Sequence, residues 1–312
     1  MIEYPEAISS LEFVCARFVF EFQEPFDLDL ERMLRLRRDL RTTARRVLDA
    51  TDDGSTAFTD LFDPPLATDP VALKRFQRPG PAFVLQPDPQ QCRRLDCGDS
   101  MDLRVIFWGK GMTRLSHFAR VLQMLGHKGL HSGEGHFELI EIFAENAAEE
   151  DVELWSFGQP LDALTPPLIP LAWHLDRKIG EDYSLLLEFV TPARLISHGR
   201  PLFTPAFDQL FPFVLRRVSS MIHAQFGVEF VDDPQRYKEI SRTQVHEVEN
   251  SLVWRDWRTL DGCAAHHDLG GVSGTLEIAG EGLREITWIL RVGALMNLGK
   301  GASFGTGFYR IS

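Results

Sequence analysis

The chain has 312 residues, 44% hydrophobic and 25% charged, with a formal net charge of −12. That is enough for two ordinary domains with a core each, and no run of ~18 apolar residues predicts a membrane span. The acidic balance excludes a protein that coats nucleic acid indiscriminately, but it leaves room for a local basic groove. The N-terminus lacks a basic region followed by an apolar signal core. Cys15, Cys92, Cys97 and Cys263 are few and scattered, which suits reduced thiols in a cytoplasm rather than a disulfide framework.

Leu11 to Phe22 is rich in aromatic and β-branched residues and reads as a strand that Pro25 ends. Asp27 or Asp29 can cap a helix running to about Ala50, with Leu30, Met33, Leu34, Leu40, Val47 and Leu48 as its apolar stripe. Its other faces carry Arg32, Arg35, Arg37, Arg38, Arg41, Arg45 and Arg46. Two readings of this excess stay open: a solvated face paired to Glu31, Asp39 and Asp49, or a face that contacts phosphates. Asp52 to Pro79 reads as loop, broken at Asp63-Pro64-Pro65 and Pro70. Strands follow at Ala82–Leu85 and Met101–Trp108, then a helix at Leu115–Leu125, a glycine-punctuated turn, and a strand at Phe137–Phe143.

Asn146 to Arg177 reads as an acidic, proline-containing connector with some strand at Val152–Phe157. A second series begins with a strand at Tyr183–Thr191. It continues through a helix over Leu202–Phe226 interrupted at Pro205 and Pro212, strands at Ser251–Trp257 and Val272–Ile278, a helix at Leu283–Leu295, and a strand at Phe308–Ile311. Strand, helix, strand, strand, helix, strand thus occurs twice. The fold class expected is α+β, as tandem ferredoxin-like, RRM-like βαββαβ domains over residues 1–170 and 171–312.

Before the last strand, Gly299, Gly301, Gly305 and Gly307 fall within nine residues, together with Lys300 and Phe304. Such a stretch is either a tight hairpin or a loop whose consecutive N–H groups form an anion-binding concavity. No Ser or Thr follows Lys300, so it is not a Walker loop.

The stretch from Leu298 to Ile311 resembles the glycine-rich loop of the RAMP superfamily, and more closely that of CRISPR-associated repeat-processing endoribonucleases. Leu61-Phe62-Asp63-Pro64-Pro65, Pro81–Leu85, Gly98-Asp99, Val105–Gly109, Gly135–Leu139, Thr191–Leu195 with Gly199-Arg200, and Leu269-Gly270-Gly271 resemble other elements of that family, in order. The resemblance implies a metal-independent cut in which the RNA's own 2′-OH attacks the adjacent phosphate, leaving a 2′,3′-cyclic phosphate and a 5′-OH. It implies no cofactor, and as partners CRISPR repeat or guide RNA and other Cas effector subunits, with no membrane. It also implies that the first helix lies by the cleavage site, so Arg38 and Arg41 would contact the scissile phosphate. Arg45 would lie on the same face, three and four residues along.

The chain departs from the family pattern in having no histidine on that helix; its first is His117. Arginine stays protonated and is a poor base, so His266 and His267 are the acid/base candidates, histidine titrating near neutrality. Cys263 with His266 supplies two zinc-type ligands, but no second pair matches. Arg194, His198, Gly299, Lys300, Gly301, Phe304, Gly305 and Gly307 are the expected RNA contacts, and Trp254 and Trp257 are candidates for base stacking. These departures also fit a relative that holds RNA without cutting it.

Overall fold

Alternating aromatic and polar residues in the first long strand set the architecture. In a computed structural model of the chain, the described residues are 4–34, 36–48, 53–65, 76, 79–130, 133–162, 164–177, 184–231, 233–255 and 270–312. They fall into two units. One comprises Glu12–Leu66 and Pro79–Pro170; the other comprises Met1–Leu11, Ala67–Arg78 and Leu171–Ser312, and so includes the short first helix α1 (Glu6–Ser9).

The N-terminal unit contains β1 (Glu12–Phe22), β2 (Phe26–Asp27), α2 (Leu30–Leu34), α3 (Leu36–Leu48), α4 (Gly54–Phe62), β3 (Phe83–Gln86), β4 (Arg94–Leu95), β5 (Ser100–Trp108), α5 (Leu115–Lys128), β6 (Phe137–Glu145), β7 (Asp151–Ser156) and β8 (Ile169–Pro170). Its main sheet runs β3-β5-β1-β6-β7, with β8 on β1. All of these pairings are antiparallel, with Phe13 opposite Trp108 and Phe22 opposite Phe137. The first four strands therefore have the ferredoxin-like order, and β7 extends one edge. Phe18, Phe20 and Phe22 share one face of β1 because side chains alternate along a strand. The Phe118 ring of α5 sits 5.5 Å from Phe18, 5.2 Å from Phe107 and 4.9 Å from Phe83. Each such buried ring stabilises the fold by roughly 2–3 kcal/mol. Helix α3 buries Leu36, Leu40, Ala44 and Leu48, a four-residue spacing that leaves Arg37, Arg38, Arg45 and Arg46 exposed and Arg41 half-buried.

The C-terminal unit contains α6 (Leu171–Arg177), β9 (Ser184–Ala193), the small hairpin β10 (Ile196–Ser197) and β11 (Arg200–Pro201), α7 (Phe207–Phe226), α8 (Pro234–Thr243), β12 (His246–Asn250), β13 (Val253–Arg255), β14 (Gly271–Ala279), α9 (Leu283–Met296) and β15 (Tyr309–Ile311). The sheet order is β12-β14-β9-β15, again ferredoxin-like, with β13 on β14. Tyr309 ties the last strand to α9 by donating its buried hydroxyl to the Leu290 carbonyl at 2.8 Å.

Several local expectations differ from what forms. Residues 54–62, expected as loop, are helix α4. Helix α7 runs through Pro212 without interruption, starting after Pro205; the proline removes one backbone bond, to the carbonyl four residues back, and the remaining ladder and the packed face carry the helix past it. Helix α8 was not expected at all. Asp233 caps it by accepting from the N–H groups of Gln235 and Arg236 at 2.9 and 3.3 Å, and Pro234 occupies its first turn. The strand expected at 251–257 is present as β13 over its described part, and β12, which was not expected, precedes it; residues 256 and 257 lie outside the described residues. Among the described residues no helix is long and apolar enough to cross a membrane.

Candidate functional site

Helix α9 ends at Met296, and the chain takes twelve residues, several with unusual backbone conformations, to turn into β15. Asn297, Gly299, Gly301, Gly305 and Gly307 all have positive φ, at 53°, 89°, 87°, 99° and 66°. Two positions admit nothing but glycine. A Cβ on Gly307 would stand 1.8 Å from the Leu298 carbonyl oxygen, and one on Gly299 would stand 2.6 Å from the Arg194 carbonyl oxygen. The glycines thus let the loop close on itself and on the end of β9.

Most of its backbone amides are already committed. Leu298 N–H donates to Gly307 O at 2.9 Å, Lys300 N–H to Arg194 O at 3.0 Å, Gly307 N–H to Pro192 O at 2.9 Å, and Phe304 N–H to Gly301 O at 2.8 Å. Phe308 N–H donates to Thr191 Oγ1 at 2.8 Å, and that hydroxyl donates to Gly305 O at 2.6 Å. Of the two readings of this stretch, these bonds favour the tight turn over a concavity of consecutive free N–H groups, because the loop uses them to hold its own shape. What it presents is a side chain: Lys300 is exposed and, among the described residues, its ammonium makes no ion pair. Phe304 is only 4% exposed, its ring inside the unit.

Arg217 on α7 supports the loop from behind. Its Nε and Nη2 donate to the Met296 carbonyl at 3.2 and 3.0 Å, and Nη2 also donates to Ser303 Oγ at 3.1 Å. It thereby caps the last carbonyl of α9, where the helix dipole favours a cation. Burial alone pulls its pKa down to about 10, with no carboxylate offsetting it. At neutral pH the group is still charged, so a positive charge with no acidic partner among the described residues lies beneath the glycine loop. Nothing in the local sequence flags this role: Arg217 and Met296 are 79 residues apart.

The structure brings Arg194, Gly299 and Lys300 together through the Arg194 carbonyl. His198 sits at φ 48° in the β10–β11 hairpin, its Nδ1 3.1 Å from Ser197 Oγ. Trp254 packs its ring on Phe203 at 5.6 Å, and Gly270 lies against its edge. His266, His267, Cys263 and Trp257 lie outside the described residues.

In the N-terminal unit the arginines of α3 are not equivalent. Arg41 is half-buried, donates Nη1 to the Phe62 carbonyl at 3.3 Å, and lies 5.9 Å from the Phe58 ring. Arg45 lies over the same ring at 5.3 Å. Arg38 is exposed and makes no ion pair among the described residues. Of the earlier arginines, Arg32 pairs with Asp29 at 3.9 Å. The site residues expected from the sequence thus fall in two groups, one on each unit.

Residues 187–309 match the family described as CRISPR-associated endoribonuclease Cas6, and residues 11–167 match the family AF_1859_N, described as an N-terminal domain. Among solved structures, a Thermus thermophilus Cas6 in a product complex superposes with a TM-score of 0.53 at 16% identity, over 97% of this chain and 100% of that one. A second Cas6 product complex gives 0.52 at 15% identity, over 96% and 99%. A chain of a partial Cas6-RT-Cas1–Cas2 complex gives 0.55 at 14% identity, over 97% of this chain but 46% of its own length. At these identities the likeness establishes the tandem fold. No curated protein sequence matches the chain.

Proposed function

We propose that the chain, which belongs to the AF_1859_N domain family through residues 11–167 and matches the CRISPR-associated endoribonuclease Cas6 family over residues 187–309, processes CRISPR repeat RNA by metal-independent cleavage. In this reading the RNA's 2′-OH attacks the adjacent phosphorus, the bond to the 5′-oxygen breaks, and a 2′,3′-cyclic phosphate and a 5′-OH result. His266 and His267 are the acid/base candidates; adjacent residues on an extended chain point to opposite sides, so one of the two faces the site and moves the proton at the 2′-OH or at the leaving oxygen. Arg38 and Arg41 stabilise the crowded phosphate, and Lys300 holds the RNA backbone at the glycine loop. Other Cas subunits are proposed as partners, since a related chain stands in a complex with Cas1 and Cas2.

The observation that carries this reading is the glycine loop. Its amides and Arg217 fix its shape while Lys300 is held outward, which leaves a preset cationic surface on an acidic chain. A second reading, a relative that holds guide RNA without cutting, is favoured by one specific fact. The described residues of α2 and α3 include no histidine, and Arg41 is engaged with Phe62 and Phe58.

Incubating the protein with labelled repeat RNA in EDTA separates the two. Cleavage that persists in EDTA and stops with a 2′-deoxy nucleotide at the cut site is the expected result. Binding without cleavage favours the second reading, and absence of both overturns the RNA assignment. Of His266→Ala and His267→Ala, one should slow cleavage by roughly 10²–10⁴-fold while leaving RNA binding intact, and parental cleavage by both variants overturns the placement of the acid/base group.

A further inference from the structure

The C-terminal unit has a concave feature that the glycine loop does not account for. Between α7, α8 and the β10–β11 hairpin lies a cavity of about 540 Å³, within the roughly 300–1,000 Å³ range of small-ligand clefts. Phe213, Phe230 and Ile196 supply apolar wall. Arg216, Lys238 and His198 line it as well, with Glu229 as the one carboxylate. The Arg216 guanidinium lies over the Phe213 ring at 5.3 Å. Among the described residues neither Arg216 nor Lys238 makes an ion pair. On a chain of net charge −12, two cations without acidic partners in one aromatic-walled cleft are a local departure from the charge balance of the whole.

The cavity also shares its walls with the glycine-loop support. Arg216 and Arg217 are neighbours on α7, so their side chains leave the helix about 100° apart; Arg217 goes to the loop, and Arg216 lines the cavity. Likewise Arg194 accepts from Lys300 with its carbonyl, and two residues later Ile196 begins the cavity wall. Flat apolar rings with adjacent cations suit a ligand with a flat ring and an attached anion. Unpaired RNA bases are commonly held in this manner, by stacking combined with contacts to the backbone phosphate.

We propose that this cavity takes one unpaired ribonucleotide of bound RNA, its base against the Phe213 and Phe230 wall and its phosphate at Arg216 and Lys238. The inference rests on the RNA-binding reading above and adds a second contact to it. The probes are a fluorescein-labelled short single-stranded RNA of randomised sequence carrying 4-thiouridine, and separately adenosine 5′-monophosphate and inorganic phosphate. The double variant Arg216→Glu/Lys238→Glu is compared with Arg242→Glu/Arg284→Glu, which changes the net charge equally elsewhere.

The expected result is an affinity for RNA lowered about tenfold at low salt by the first variant alone, with a photocross-link to the peptide holding Phe213 that the variant loses. Equal affinity losses in both variants, or a cross-link that survives in the first, overturn the pocket while leaving the RNA-binding reading in place. Wild-type protein that binds adenosine monophosphate but not RNA overturns bound RNA as the source of the nucleotide. Inorganic phosphate binding as tightly as the nucleotide overturns the role of the base. Failure to bind any of the three probes overturns both readings.

Discussion

Each unit holds a half-buried arginine among polar groups, and the two are compensated in opposite ways. In the N-terminal unit Arg104 spans its sheet face, donating Nε to Cys15 Sγ at 3.0 Å and to Glu145 Oε1 at 3.2 Å, Nη2 to Glu145 Oε2 at 3.0 Å, and Nη1 to Gln86 Oε1 at 2.7 Å. Burial pulls its pKa down, but Cys15 and the Glu145 carboxylate more than offset that and hold it up. In the C-terminal unit Arg217 has, among the described residues, only a carbonyl and a hydroxyl as partners, and burial lowers it to about 10. Arg104 is electrically closed and holds strands together. Arg217 is electrically open, and its charge remains to be felt at the glycine loop. A cation kept without its counter-ion costs stability, and the position where the chain accepts that cost is the support of its candidate RNA-binding loop.

The sharpest way to break this contrast is to collapse the loop that Arg217 supports. In Gly307→Val a Cβ would meet the Leu298 carbonyl at 1.8 Å, at a φ of 66° that branched residues avoid. Strain and overpacking should lower stability by roughly 3 kcal/mol, read as a drop in urea midpoint, and RNA binding should be lost with it. Arg217→Met comes next. It leaves the Met296 carbonyl and Ser303 without their donor, costing about 2 kcal/mol, and removes the charge, so RNA affinity should fall as well. If Arg217→Met left RNA affinity unchanged, Arg217 would be a structural prop no different in kind from Arg104.

The closed side of the comparison is tested by pH. Burial, the largest influence, pushes the Cys15 thiol up from its ordinary 9.0 to about 12; Arg104 pulls it down and Glu145 raises it. The folded state therefore keeps a proton that the unfolded chain loses above pH 9. This contribution is complete below pH 9 and is lost as the pH rises towards 12, at about 1.4 kcal/mol per pH unit. Cys15→Ala should accordingly show a flatter decline in urea midpoint between pH 9 and 11 than the parent. Equal slopes would mean that the thiol does not sit in so closed an environment.

Much of this contrast could not be read along the chain. The two βαββαβ series were legible because strands such as Glu12–Phe22 and helices such as Leu283–Met296 carry strong periodic patterns. The glycine cluster was legible too, as glycine marks close backbone approach wherever it occurs. Its purpose was not: the partners of its amides, Pro192, Arg194 and Thr191, lie more than a hundred residues upstream. Helix α4 was hidden by its weak helix formers and by Asp63-Pro64-Pro65 after it. Helix α8 announced itself only through Asp233-Pro234, a cap signal that is easily taken for a turn. Arg217 carried no signal, since the carbonyl it caps belongs to another helix.

The smallest expected effects distinguish the arginines of α3, which the sequence presents as one face. Arg41→Ala removes a hydrogen bond to the Phe62 carbonyl and the contact with Phe58, so it should cost about 1 kcal/mol. Arg38→Ala touches an exposed side chain with no ion pair among the described residues, and stability should change by less than ~0.5 kcal/mol. If the face meets the scissile phosphate, Arg38→Ala should nonetheless slow cleavage about tenfold or more with little change in melting. That pairing of a functional loss with an intact fold is what a phosphate contact predicts and a solvated surface does not. Should Arg38→Ala cut at the parental rate while Arg41→Ala loses both stability and activity together, the helix would be acting as scaffold. The charge met by the RNA would then have to come from the C-terminal unit, from Arg217 and Lys300.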